Sequence, residues 1–235
     1  MKICNECPAD STGWQYRLID LIKSYQAGKP KQHPVGMTIQ IGGSVDALYR
    51  SSADWISPNS EPSYDYLTEP KPGDGGKVIL LDSDHITYFA AYAGMIWRQF
   101  ARGLNPLFMD LAPPLRDKSP LPEQDAIRKA MGYTSMFANK MNLAAMTPRG
   151  DLTSTGYALA NPGSEYLVYA PSGGSFTVNL ASGGYFFEWV NPSNGTIISS
   201  GSFSAASGDR SFTAPFSGDA VLYIKAKTLL HRLVP

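Results

Sequence analysis

Charge is scarce in this chain. Only 17% of its 235 residues are Asp, Glu, Lys or Arg, and 20 basic side chains balance 20 acidic ones. No Lys/Arg cluster stands out against that zero net charge, which argues against a nucleic-acid partner, because phosphate binding needs a basic patch. No window approaches the ~20 apolar residues of a membrane span. The opening Met1-Lys2-Ile3-Cys4 has no apolar core behind its Lys, so it is not a signal peptide. Histidine occurs only at His33, His85 and His231, and cysteine only at Cys4 and Cys7. A lone C-x-x-C suits a redox dithiol or half a zinc site. No second ligand pair and no thioredoxin-like pattern follows, so we expect no metal and no cofactor, with Cys4 in a buried strand and Cys7 incidental.

Turn formers are plentiful: 22 Gly and 18 Pro, with 13 Tyr beside them. This mix suits an extracytoplasmic protein. The chain is organised around Lys77-Val78-Ile79-Leu80-Leu81-Asp82-Ser83-Asp84-His85. An unbroken apolar run of this length predicts a strand buried on both faces, as in a parallel sheet wrapped by helices. Such a strand presents its C-terminal residues to a ligand. Asp82 and Asp84 share a face if the strand extends that far; alternatively, one of them caps the next helix.

Before that strand, Lys2 to Asn5 predicts a short strand ending at Glu6. Trp14, Leu18, Leu21, Ile22 and Tyr25 then repeat with helical spacing and predict one buried helix face, which Gly28 and Pro30 end. Pro34–Thr38 and Asp54–Ser57 read as strands, the latter ending at Pro58-Asn59, with a brief helix over Val45–Ser51 between them. After the central strand come a helix over Tyr88–Gly103, a strand over Leu104–Asp110 and a last helix over Glu123–Met141. Strand and helix thus alternate through residues 1–141, which predicts parallel α/β. Glu6, Thr38, Asn59, Asp82 and Asp110 close the strands, as on the active-site rim of a β/α barrel.

From residue 142 to 235 the period becomes two. Glu165–Tyr169, Phe176–Leu180, Tyr185–Val190 and Ala220–Ile224 are separated by Gly, Ser, Asn and Pro turns, including Asn194-Gly195. That spacing predicts an antiparallel β-sandwich. It has no clustered His, Asp or Glu, so it reads as a binding or structural module. Strict alternation places Tyr166, Phe176 and Val178 in its core.

Asn5-Glu6 closing a strand, with Pro8 soon after, resembles the acid/base motif of clan A glycoside hydrolases, which closes the fourth strand of a (β/α)₈ barrel. Counted from there, Val78–Asp82 is strand seven, where the clan carries its second carboxylate, and Leu107–Asp110 is strand eight. More closely, Trp55-Ile56-Ser57-Pro58-Asn59, Val78 to His85, and Arg102 to Asp110 are similar to a bacterial group of apiosidase-like barrels with a C-terminal collagen-binding-type sandwich, which Gly156 to Lys225 resembles. Two departures stand out: Cys7 is inserted before Pro8, and the strand-seven carboxylate is Asp, not Glu.

The resemblance implies a partial TIM barrel, strands four to eight, over residues 1–141, followed by a sandwich over 142–235. It implies a retaining glycosidase acting on plant-wall or other complex carbohydrate, with Glu6 as acid/base and Asp82, or Asp84, as nucleophile. Asn5, Trp55, His85 and Asp110 would contact the sugar. The full-length form would be secreted or periplasmic. Strands one to three are missing from this alignment, so the chain reads as a C-terminal portion that is inactive alone. The alternative is a non-catalytic module, its sandwich binding carbohydrate or extracellular matrix through exposed Tyr and Trp.

Overall fold

The apolar runs of the first half pair as β1 (Gly36–Thr38), β2 (Trp55–Ser57), β3 (Val78–Asp82) and β4 (Asn105–Leu107). The computed structural model describes residues 1–59, 65–86, 91–109 and 124–227. In it these four strands form one parallel sheet in the order β1-β2-β3-β4. Gly36 lies beside Trp55 and Trp55 beside Val78, while Asp82 lies beside Leu107. Lys2 adds a parallel bridge to Gly36, and the Ile3 N–H donates to the Gly36 carbonyl at 3.1 Å. Every crossover therefore steps one strand in the same direction, with no reversal of order, and all carboxyl ends share one edge.

Helices α1 (Thr12–Gln26), α2 (Val45–Arg50), α3 (Ser83–Ile86) and α4 (Ala93–Ala101) fill the connections. Ile19, Val35, Met37, Leu48, Ile56, Ile79, Leu81 and Leu104 form the core here, with Tyr16 and Ile22 packed on it. β3 is buried on alternate residues, not on both faces: Ile79 and Leu81 are covered, while Val78 is 52% exposed. The reason is that α1 and α2 send their apolar side chains into the Ile79/Leu81 face.

The expected apolar face of α1 is also corrected. Trp14, Leu21 and Tyr25 are 54%, 65% and 69% exposed, and Gln15 and Ile19 are buried instead. Polar anchors set this rotation. The Tyr16 hydroxyl donates to the Ala47 carbonyl at 2.6 Å, and Lys23 pairs with Asp54 at 2.6 Å. Within the expected helix over Tyr88–Gly103, α4 begins at Ala93 after an extended Tyr92, and residues 87–90 lie outside the described set.

The second half contains α5 (Asp125–Lys140), β5 (Thr147–Pro148), β6 (Ala158–Asn161), β7 (Glu165–Ala170), β8 (Ser175–Leu180), β9 (Gly183–Val190), β10 (Ile197–Ala205), β11 (Gly208–Thr213) and β12 (Ala220–Ala226). They form a six-stranded antiparallel sheet, β10-β9-β12-β7-β6-β5, and a two-stranded one, β11-β8. Tyr166, Val168, Tyr185, Trp189, Leu222 and Ile224 of the larger sheet share one core with Phe176, Val178 and Leu180 of the smaller. Asn194-Gly195 does connect β9 to β10: Gly195 takes φ 72°, where a Cβ is strained, and its N–H closes the turn on the Asn191 carbonyl at 2.8 Å. The chain divides into units Met1–Arg128 and Lys129–Pro235. Most of α5 thus goes with the antiparallel strands, where Phe137 meets Tyr223 edge-on at 5.7 Å; the expected division after residue 141 lies at the far end of that helix.

Candidate active site

Thr38, Ser57 and Asp82 close β1, β2 and β3, so three polar residues share the carboxyl edge of the parallel sheet. The N-terminal segment runs beside β1 in the same direction, and Thr38 Oγ1 donates to the Cys4 carbonyl at 3.3 Å. Beyond Cys4 come Asn5 and Glu6, both exposed, with the Lys2 ammonium on Asn5 Oδ1. Glu6 has φ 51° and is the only non-glycine residue with positive φ among the described residues. Such strain costs about 1–3 kcal/mol and gathers at functional sites. Cys4 and Cys7 bracket it and are joined as a disulfide. This corrects the expectation of a buried Cys4 with an unrelated Cys7: the chain turns between them, and Cys4 is half-buried.

β3 stops at Asp82, and Asp84 lies inside α3, so the two carboxylates are not alternate residues of one strand. Asp82 Oδ1 accepts the Asp84 N–H at 3.1 Å, which begins the one-turn helix. Capping and rim position are thus both true of Asp82. That turn carries His85 back to the neighbouring strand, where its Nδ1 lies 3.0 Å from Ser57 Oγ. Ser83, 3% exposed, accepts the Met109 N–H on its Oγ at 2.9 Å, tying the segment after β4 to the end of β3. Asp110, the next residue, lies outside the described residues.

Asp82, Asp84 and His85 therefore stand at the end of β3 on this edge. Asn5 and Glu6 follow a segment that pairs with β1 through one bridge, Lys2 to Gly36, and is not a strand of the sheet, which corrects the strand expected over Lys2 to Asn5. Trp55 does not join them. It opens β2 at the amino ends of the strands, and its ring covers Gly36 so closely that a Cβ there would lie 1.8 Å from Trp55 Cε2. Ser57 and Ser83 are not among the residues that the sequence singles out. For Ser57 a signal is there, a hydroxyl closing a short apolar strand, but Asn59 two residues on competes for the polar end. A Ser–His nucleophile pair is not what Ser57 and His85 form: Ser57 is 3% exposed and meets Nδ1 from beneath the rim.

A second titratable group sits in the antiparallel unit. Glu165, 2% exposed, accepts from the Tyr223 hydroxyl, from the Asn142 N–H at 3.0 Å and from Lys225 at 3.2 Å. Burial alone would raise its carboxyl, but these donors outweigh it and hold it below the ordinary 4.5. Burial and the adjacent Glu165 push the Tyr223 phenol up. Lys140 pairs with Glu188 alongside, at a cavity of about 260 Å³ that Phe186 also lines. All these partners satisfy one another, which is the pattern of an anchor for the end of α5. Tyr157, Tyr166, Tyr169, Tyr185, Trp189 and Tyr223 are all buried, so the exposed Tyr and Trp expected on a matrix-binding surface are instead core. Among the described residues, no group of three or more His, Cys, Asp and Glu side chains is placed to hold a metal ion, and no helix is long and apolar enough to cross a membrane.

No family model matches this sequence, and no curated protein matches it. Solved structures do. A protein described as a glycoside hydrolase superimposes with a TM-score of 0.60 at 13% identity, over 96% of this chain and 64% of its own. A family 5 glycoside hydrolase from Bacteroides vulgatus ATCC 8482 gives a TM-score of 0.62 at 12% identity, over 96% of this chain and 61% of its own. The chain spans less than two thirds of the length of either. Its fold is glycoside-hydrolase-like.

Proposed function

We propose that the first unit is strands four to eight of a (β/α)₈ barrel carrying the acid/base and nucleophile of a retaining, apiosidase-like glycoside hydrolase, and that the second unit is a β-sandwich joined to it. The observation that carries this reading is that Asp82 closes a strand of a parallel sheet wound in one direction and Glu6 follows a segment bridged in parallel to the first strand of that sheet, in a chain of glycoside-hydrolase-like fold. Glu6 protonates the glycosidic oxygen, and Asp82 attacks the anomeric carbon. The resulting glycosyl ester is opened by water that Glu6, now a base, deprotonates. This mechanism needs the two carboxyls about 5–5.5 Å apart. A short cystine turn carries Glu6, and the last residue of a strand carries Asp82. Asn5, His85 and Asp110 bind sugar hydroxyls. Trp55 has no part in it, because its ring lies at the opposite ends of the strands.

Turnover of a panel of aryl glycosides and plant-wall oligosaccharides tests this, with this chain expected to be inactive alone and the variants read in a complete eight-stranded barrel. Asp82→Asn and Glu6→Gln should each lower kcat by about 10²–10⁴. An activated leaving group should rescue Glu6→Gln more than Asp82→Asn, since only the former lacks proton donation. Full activity in Asp82→Asn together with a dead Asp84→Asn would move the nucleophile into α3. Full activity in both would overturn the reading. Turnover by the 235-residue chain itself would show that these strands suffice.

A further inference from the structure

We infer that Ser57 is a positioning residue that fixes His85 as the neutral tautomer protonated on Nε2, so that His85 offers an N–H donor to an acceptor oxygen bound at the carboxyl edge of the parallel strands. The donor role rests on the reading of that edge as a sugar site; the tautomer does not.

A hydroxyl has one proton to place and two lone pairs to offer. Ser57 is buried at the end of β2, and among the described residues His85 Nδ1 is the one side-chain partner of its Oγ, at 3.0 Å. Suppose Nδ1 carried the ring proton. It would donate to Ser57 Oγ, and the Ser57 proton would be left in the interior with no acceptor among the described residues, a costly arrangement. Suppose instead that Ser57 donates. Its proton is then satisfied by the bare Nδ1, and the ring proton moves to Nε2. Only the second arrangement leaves nothing unpaired. Among the described residues the ring makes no hydrogen bond to Asp82 or Asp84, and Asp82 Oδ1 takes the Asp84 N–H instead. The backbone supports the same geometry. α3 is a single turn tied to β3 by that bond, and the Ser57 carbonyl is held by the Ile39 N–H at 2.9 Å, so both ends of the Ser57–His85 contact are anchored in the sheet. His85 remains part-exposed, which leaves its second nitrogen for solvent or a ligand. A sugar hydroxyl or ring oxygen is such an acceptor, as is a carboxylate of an acidic sugar.

Imidazole tautomers are read directly from long-range proton–nitrogen correlation spectra of the ¹⁵N-labelled protein, recorded at a pH where the spectra themselves show neutral rings. His85→Gln identifies the His85 signals. The wild type should show the Nε2–H pattern, Ser57→Ala a mixture, and Ser57→Thr, which keeps the hydroxyl, the wild-type pattern again. An Nδ1–H pattern in the wild type, or no change in Ser57→Ala, would overturn the assignment. In parallel, in the complete barrel, kcat/KM for the aryl glycoside that it turns over best should fall about tenfold in Ser57→Ala and recover in Ser57→Thr. A shifted tautomer with unchanged kcat/KM would refute the donor role. If the complete eight-stranded barrel turns over no aryl glycoside, the hydrolase reading falls, while the spectra still decide the tautomer.

Discussion

At the scale of residues, two carboxylates show opposite uses of free energy. Glu6 is held in a left-handed backbone conformation, at a cost, on an exposed turn. Glu165 is buried and fully supplied with donors, so it stabilises. Neither role can be read from composition, because Asn-Glu and Glu-Tyr are ordinary dipeptides; what differs is the partners that the fold brings from 23 and 58 residues away to Glu165. The sign of the Glu165 contribution follows from its lowered folded-state pKa. The group contributes stability that is present above its unfolded value of 4.5 and is lost as pH falls through the lower folded value. Glu165→Gln should therefore cost about 1–3 kcal/mol at pH 7, since Tyr223 and Lys225 lose a charged acceptor. The gap between variant and wild type should narrow in acid, as pH falls through the lowered folded value and the wild-type carboxyl protonates. Urea melts of both proteins at pH 7 and at successively lower pH measure this; a gap that widened in acid would contradict it.

Among elements, α1 separates what periodicity can and cannot tell. Existence, length and stop at Gly28 were legible, because they depend on local signals. The buried face was not. Hydrophobic spacing chose Trp14, Leu21 and Tyr25, whereas Tyr16 and Lys23 find partners outside the helix, on Ala47 and Asp54, and Ile19 and Ile22 meet the core. The same limit explains β3, whose apolar run reads as two-faced while Ile79 and Leu81 alone are deeply buried. It also explains Asp84, which a one-turn helix too short to show a period removes from the strand. Thermal melts of point variants make the distinction quantitative. Ile19→Ala should destabilise by about 2–5 kcal/mol, as large-to-small changes in a core do. Leu21→Ser should stay within about 0.5 kcal/mol of wild type. The reverse ranking would restore the face that the sequence spacing favours.

For the whole molecule, the order of strands was more legible than the point of division. Alternating strand and helix, then period-two runs, gave a parallel sheet followed by antiparallel ones, because each pattern is repeated and local. Where one unit stops depends on which surface α5 covers, and no residue of α5 announces that. Phe137 is buried edge-on to Tyr223, and Lys140 reaches Glu188 and lies over the Tyr223 ring at 4.8 Å. Tyr133 packs against the turn at Gly195, where a Cβ would sit 2.4 Å from its ring. A division after residue 141 would strip these contacts from the sheet. Two fragments test the consequence, one spanning residues 124–235 and one spanning 142–235. Both keep the core of Tyr166, Val178, Trp189 and Leu222, so both should give strand-rich circular dichroism. The longer fragment also keeps Phe137 and the cover over Tyr223. Burying one aromatic side chain of that size is worth about 1.5–3 kcal/mol, and each kcal/mol moves the midpoint of a domain near 100 residues by roughly 4–8 °C. The fragment from 124 should therefore melt roughly 10 °C above the fragment from 142. Equal melting temperatures would mean that α5 contributes nothing to the antiparallel unit, and the division would then belong after the helix.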